Sequence, residues 1–222
     1  MKLIVFDIDD TLTRSENQHV NSFIKAMHHF GITEVDQNWG GYEHLTDSFI
    51  LKQNYERNLN KKFRLSFIAE FEAQMTAFIQ DLPKVSEVPG AKKVVEFLAG
   101  HSDFAIAFAT GSLLQPAYLK LQQAEIPFQR SLVTASNTFL TREEIVTEAI
   151  SLAKAANSVE RFEDIVSVGD GLWDLRTARN LNLKFVGIRE KNRLAFGREN
   201  VKHLLTDWTG VDLNRLQSFF EE

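Results

Sequence analysis

Apolar residues follow two alternating rhythms along most of this chain. Continuous runs at Leu3 to Phe6, Phe104 to Ala109, Leu132 to Thr134, Ile165 to Val168 and Phe185 to Ile188 predict strands buried on both faces. Between the later runs, apolar residues recur at helical spacing: Val94, Val95, Phe97 and Leu98, then Leu113, Leu114, Ala117, Tyr118 and Leu121. The same spacing returns through Ile145, Val146, Ala149, Ile150, Leu152 and Ala153, and through Leu175, Ala178 and Leu181. Such alternation predicts an α/β fold with a doubly wound, mostly parallel sheet. Its crossovers are right-handed, and ligands bind at the carboxyl ends of its strands.

The rhythm breaks from about Arg14 to Val88, where helical periodicity continues without a strand. Ser15 with Gln18 fits a capping box ahead of Val20, Phe23, Ile24, Met27 and Phe30. A second stripe runs through Leu65, Ile68, Phe71, Met75, Phe78, Ile79 and Leu82, and Pro89-Gly90 then punctuates the return to alternating elements. Residues 14–88 therefore read as a helical insert in a core built from 1–13 and 89–222. Phe23, Phe30, Phe71 and Phe78 keep helical spacing, which assigns them to packing rather than to an aromatic ligand site.

Composition narrows the functions open to such a fold. A net charge of −5 gives no basic footprint for nucleic acid, and the absence of cysteine excludes disulfides, thiolate metal sites and cysteine nucleophiles. No apolar run reaches the length of a membrane span, and Asp7 interrupts the first one too early for a signal peptide. A cytoplasmic protein is the expectation, with neither nucleic acid nor membrane as partner.

The chemistry concentrates at the predicted strand ends. Asp7, Asp9 and Asp10, in DIDDT, follow the first strand, a pattern that a turn also selects. Ala109-Thr110-Gly111-Ser112 ends another strand with a hydroxyl and backbone N–H groups that suit a phosphate oxygen. In SVGDGLWDL, Asp170 and Asp174 flank a turn after Val168, facing Asp7 and Asp9. Carboxylates gathered this closely repel one another without a cation, and hard oxygen donors beside a phosphate suit Mg²⁺. Arg142 supplies a fixed cation just ahead of the helix over 145–153.

This ordered set, Asp7-x-Asp9-x-Thr11, Thr110, a cation at 142, then Gly169-Asp170 and Asp174, resembles the haloacid dehalogenase (HAD) superfamily over the whole chain. The insert at 14–88 falls where that superfamily carries a helical C1 cap, and the likeness is greatest to phosphoglycolate-phosphatase-like members. The resemblance implies a Rossmann-like core, with Asp7 as nucleophile forming an aspartyl-phosphate and Asp9 as acid and then base. It implies Thr11 holding the turn and Thr110 and Gly111 gripping phosphate. Mg²⁺ would lie on Asp7, the Asp9 carbonyl, Asp170 and Asp174, and the substrate would be a small phosphorylated metabolite. Two positions depart from the usual pattern. Arg142 stands where the family has Lys, Lys154 being too deep in the following helix, and Asp10 stands where many relatives have Gly.

Within the insert, Gly40-Gly41 interrupts the helical pattern beside Trp39, and Tyr42, His44, Thr46 and Asp47 are specificity candidates. Thr46 or Asp47 is equally suited to cap a helix. His28 and His29 read as a solvated helix face, and Trp173 as a wall of the site or as packing under its loop. Asp9 argues against dehalogenation. Lys25 and Lys52 are the Schiff-base lysines a phosphonate hydrolase would need. A phosphomutase shares the whole phosphoryl site, and a non-catalytic phosphate-binding module shares the fold.

Overall fold

The computed structural model describes residues 1–221, with Glu190 described by its backbone alone; Glu222, the last residue of the expected 89–222 stretch, lies outside the described residues. The chain runs β1 (Lys2–Phe6), β2 (Thr13–Arg14), α1 (Glu16–His29), α2 (Asp47–Leu59), α3 (Phe67–Gln80), β3 (Ser86–Glu87), α4 (Ala91–Ala99), β4 (Phe104–Ala109) and α5 (Leu114–Gln123). It continues with β5 (Val133–Thr134), α6 (Arg142–Asn157), β6 (Ile165–Gly169), α7 (Leu172–Asn180), β7 (Lys184–Ile188), α8 (Arg193–Arg198), β8 (His203–Leu205) and α9 (Leu213–Ser218). Six strands form a parallel sheet in the order β5-β4-β1-β6-β7-β8, the Rossmann-like α/β fold expected.

Period-two alternation sorts the strand side chains between two cores. Ile4 and Phe6 of β1 join Phe104, Phe108, Val166 and Val168 against α4, α5 and α9. Leu3 and Val5 join Ala105, Ala107 and Ala109 against Ile145, Ala149 and Ala153 of α6. The small alanines of β4 let α6 approach closely, while each fully buried Leu, Ile or Phe contributes roughly 1.5–3 kcal/mol. β1 is thus covered on both faces, and its carboxyl end is held rigidly at the centre of the sheet.

Helices α1, α2 and α3 build a separate core around Phe23, Met27, Leu51, Phe71 and Met75. The chain enters and leaves this insert through a two-stranded antiparallel ribbon, Thr13 opposite Glu87 and Arg14 opposite Ser86. Leu12 accepts from the Val88 amide at 2.8 Å, and the indole of the buried Trp208 donates to the Thr11 carbonyl at 2.8 Å. Both linkers are therefore anchored to the core beneath the DIDDT turn.

Three local expectations change, those of the Ser15 capping box, the start of β5 and a strand-free insert, and two further elements carry no clear sequence signal. Ser15 and Gln18 form no capping box: the Asp10 carboxylate accepts from the Ser15 and Glu16 amides at 2.9 and 3.1 Å, and the Gln18 amide donates to Pro83. Leu132 closes a 3-10 turn instead of opening β5. Helix α2 has a weak apolar stripe, and β8 is a three-residue edge strand, so neither has a clear periodic signature. The β2–β3 ribbon is equally short.

Candidate active site

Strand β1 carries its ladder one residue further, the Asp7 amide bonding Val168 at 2.9 Å, and so delivers Asp7 to the carboxyl edge of the sheet. Its neighbour β6 delivers Asp170, and the first turn of α7 returns Asp174, whose Oδ2 accepts from the Gly171 amide at 3.0 Å. One carboxylate oxygen from each of Asp7, Asp170 and Asp174 lies within 4.8 Å of the others, and all three residues are buried. Burial, and then the charge of Asp174, pushes the carboxyls of Asp7 and Asp170 up, Asp170 to about 8; burial raises Asp174 as well. Gly169 leaves the space, since a Cβ there would lie 2.4 Å from the Asp174 carboxylate.

Two arginines partly offset this concentration of charge. Arg142, the first residue of α6, donates to Asp174 at 2.6 Å, to Asp7 at 3.4 Å and to the Leu45 carbonyl at 3.0 Å. Arg189, in a left-handed conformation at the end of β7, donates to Asp170 at 2.8 Å and to Glu16 at 2.7 Å and pairs with Asp10. The cluster still places raised carboxyls together with oxygen donors only, which is the donor chemistry a hard divalent cation fits. Thr11 donates to Asp7 Oδ2 at 3.0 Å. Thr110 accepts from the Ser112 amide at 3.1 Å, which leaves its own hydroxyl proton to donate. A Cβ on Gly111 would meet the Leu45 carbonyl at 2.7 Å and Arg142 at 2.8 Å, so only glycine fits that close approach.

Asp9 stands in a different setting. The Lys120 ammonium, fully buried on α5, donates to both Asp9 oxygens at 2.7 and 2.6 Å and to Ser112 at 3.1 Å. Its fourth neighbour is Nδ1 of His19 at 3.2 Å, and Nε2 of that ring meets Asp47 at 3.0 Å. Burial, the largest single influence, raises the Asp9 carboxyl, but the Lys120 charge together with the hydrogen bonds from Lys120 and Ser15 lowers it to about 2. Asp47 also accepts from the Leu113 amide at 3.0 Å, and its own amide donates to Gly111 at 2.8 Å. The insert is thereby bonded to the same loop that carries Thr110.

A chamber of about 130 Å³ lies between insert and sheet, bounded by Asp7, Asp9, Thr110, Gly111, Arg142 and Asp170 on the core side. Thr46 and Asp47 reach it from the insert. Thr46 also caps α2, accepting from the Phe49 amide at 3.3 Å, and donates to Leu140 at 2.8 Å. Tyr42 and His44 line instead an outer cavity of about 440 Å³, and the Tyr42 hydroxyl is engaged by Asp36 and Asn54. Trp173 borders both spaces. Phe23, assigned above to packing alone, is both in the insert core and on the chamber wall. Neither Lys25 nor Lys52 lines the chamber; Lys25 lies over the Phe78 ring at 4.1 Å. His28 and His29 are exposed.

Sequence reasoning missed Lys120, His19 and Arg189. Each carried a signal. Lys120 is three residues after Ala117 and four before Ala124, on the buried stripe of α5, and His19 is four residues before Phe23 on the buried face of α1. Arg189 directly follows the β7 strand end, the edge where ligand groups gather.

The family model for haloacid dehalogenase-like hydrolase matches residues 1–182. A hydrolase from Pseudomonas syringae is 16% identical, with 98% of this chain and 99% of that chain covered and a TM-score of 0.71. A family IA, variant 3 HAD hydrolase from Entamoeba histolytica is 13% identical, with both chains covered to 100% and a TM-score of 0.71. CbbY from Rhodobacter sphaeroides, solved in complex with phosphate, is 20% identical, with 97% and 98% covered and a TM-score of 0.64. At these identities the likeness is one of fold. No curated protein matches the chain. Among the described residues, no helix is long and apolar enough to cross a membrane.

Proposed function

This chain belongs to the haloacid dehalogenase-like hydrolases, and we propose that it is a Mg²⁺-dependent phosphatase that cleaves a small phosphomonoester through an aspartyl-phosphate on Asp7. The observation that carries this reading is the setting of Asp7: a strand-end carboxylate held by Thr11 and Arg142, clustered with Asp170 and Asp174, and opening onto a chamber shared with Thr110 and Gly111. The phosphate bound by CbbY, a protein of the same fold, supports a phosphorylated small molecule as the partner. Residues 14–88 are assigned as a C1 cap domain on a core domain of 1–13 and 89–222.

Asp7, Asp170 and Asp174 would hold the ion, which when bound offsets their repulsion and the charge of the phosphoryl oxygens. Thr110 and the backbone at Gly111 orient the phosphate, and the Arg142 guanidinium keeps Asp7 aligned and supplies fixed positive charge. Asp7 attacks phosphorus, forming the new O–P bond as the ester O–P bond breaks. Held ionised by Lys120, Asp9 is in the form that accepts a proton from water attacking the aspartyl-phosphate. To protonate the departing alkoxide it must first gain a proton, so the incoming ester has to loosen the Asp9–Lys120 contact. The cap, bonded to the core through Asp47 and Thr46, excludes bulk water from the chamber.

Phosphate release from a panel of phosphomonoesters, with Mg²⁺ or with chelator, tests the proposal beside an Asp7→Asn variant. Turnover that requires both the ion and Asp7 is expected, with a loss of about a thousandfold or more in the variant. Unchanged release from Asp7→Asn overturns the nucleophile, and movement of labelled phosphoryl between hydroxyls without release converts the assignment to a phosphomutase.

A further inference from the structure

The chamber has one wall for phosphate and another with no charge to offer a second anion. On the cap side it is walled by Val20, Phe23, Trp39, Leu45 and Ile50, with Trp173 closing the core side. Among the described residues lining it, the basic side chains are Arg142 and His19. Arg142 is committed to Asp174, Asp7 and the Leu45 carbonyl. His19 has both ring nitrogens engaged, Nδ1 by the Lys120 ammonium and Nε2 by Asp47. The remaining charged cap residues at the chamber, Glu16 and Asp47, are acidic. Arg176, Arg189 and Lys191 border the outer cavity and not the chamber, and Arg189 is taken up by Asp170, Glu16 and Asp10.

From this we infer the substrate class: a monoester carrying a single phosphate, on a small, uncharged alcohol that presents an apolar face to the cap. A second phosphate or a carboxylate on the leaving group would be stripped of water against aromatic and aliphatic walls, beside two carboxylates, with no cation to receive it. The inference rests on the phosphatase reading and narrows it. It argues against sugar bisphosphates and phosphorylated carboxylic acids, and hence against a mutase, whose bisphosphate intermediate needs a second anion site.

Two measurements test it. Specificity constants are compared for alkyl and aryl monophosphates, sugar monophosphates, sugar bisphosphates and phosphoglycolate, with p-nitrophenyl phosphate as a general reporter of phosphatase activity. Uncharged apolar esters are expected to lead the bisphosphates and phosphoglycolate by at least about tenfold, a gap of about 1.4 kcal/mol. In Val20→Lys, at a half-buried wall position, that ratio should shrink by a similar factor. The second measurement needs no turnover: alkylphosphonates of increasing length are titrated calorimetrically into the wild-type protein with Mg²⁺. Each added methylene should tighten binding roughly three- to fourfold until the chamber is full, the value of a buried CH₂. Activity on the reporter with a preference for bisphosphates or phosphoglycolate, or phosphonate affinity independent of chain length, overturns the substrate class and leaves the phosphatase intact. No hydrolysis of any ester, reporter included, overturns both.

Discussion

Asp7 and Asp9 stand two residues apart in one turn and occupy opposite electrostatic worlds. Asp7 belongs to a carboxylate cluster that two arginines only partly offset, and its proton affinity is driven up by burial and by Asp174. Asp9 faces a buried ammonium at hydrogen-bonding distance from both its oxygens, and its carboxyl is lowered to about 2. The chemistry separates in the same way. The first region holds more negative than positive charge and fits an added cation, while the second carries its own cation on α5 and fits proton transfer. Strand β1 delivers both carboxylates, but the helices packed around them decide what each becomes.

The largest effect should come from removing the internal cation. Lys120→Met leaves the half-buried Asp9 charge without its cation, at a cost of up to about 3 kcal/mol, because breaking such a pair on one side is worse than removing it whole. Denaturant unfolding should show that loss, and adding Asp9→Asn should restore much of it; additive losses would mean that the pair does not couple. Kinetically, the single variant should lose kcat more than KM, since Lys120 touches Asp9 and not the chamber.

The carboxylate cluster should respond in the opposite direction. Asp170→Asn removes a repelled charge, so the metal-free variant should be more stable than wild type near pH 8, by about 1–3 kcal/mol. That gain should vanish near pH 4, and Mg²⁺ should no longer raise the melting temperature of the variant. A metal-free variant that is less stable near pH 8 would show that Asp170 is held by Arg189 and not opposed by its neighbours.

The smallest effect is the pH slope itself. Between the ordinary carboxylate value near 4 and about 8, the folded metal-free chain keeps a proton on Asp170 that the unfolded chain has released. Stability from this group therefore falls as pH rises through that window, by about 1–3 kcal/mol over the whole of it and so by less than the limit of about 1.4 kcal/mol per pH unit that one proton sets. Asp9 behaves in reverse: its contribution is present above about pH 4 and is lost as pH falls through about 2. On the proposed assignment Mg²⁺ would compete with the protons of the cluster, so its stabilising effect should grow from pH 5.5 to pH 8. A pH-independent increment would place the ion elsewhere.

Legibility in the sequence divides along a similar line. The central strands could be read because they are continuously apolar, and DIDDT, Thr110-Gly111 and Asp170 could be placed because strand ends converge on one edge. Arg142, the departure from the family pattern, does reach Asp7 and Asp174. Lys120 was hidden because a lysine in an apolar stripe reads as surface unless its partner is known, and that partner lies 111 residues away in sequence. Asp10 shows the same limit at shorter range: its cap on α1 depends on a left-handed turn that composition does not fix. Tyr42 and His44 share one loop of the helical insert with Thr46 and Asp47, but after the 3-10 turn at Trp39–Gly41 the first pair lines the outer cavity.

The most direct test of the central claim is to trap the covalent intermediate. The enzyme is mixed with Mg²⁺ and the best ester of the panel, quenched in acid within the first turnover, digested, and analysed by mass spectrometry. One phosphoryl group is expected on the peptide containing Asp7, absent when chelator replaces Mg²⁺ and absent from Asp7→Asn. Rapid phosphate release with no label on that peptide, together with full turnover by Asp7→Asn, would contradict the assignment of Asp7 as nucleophile.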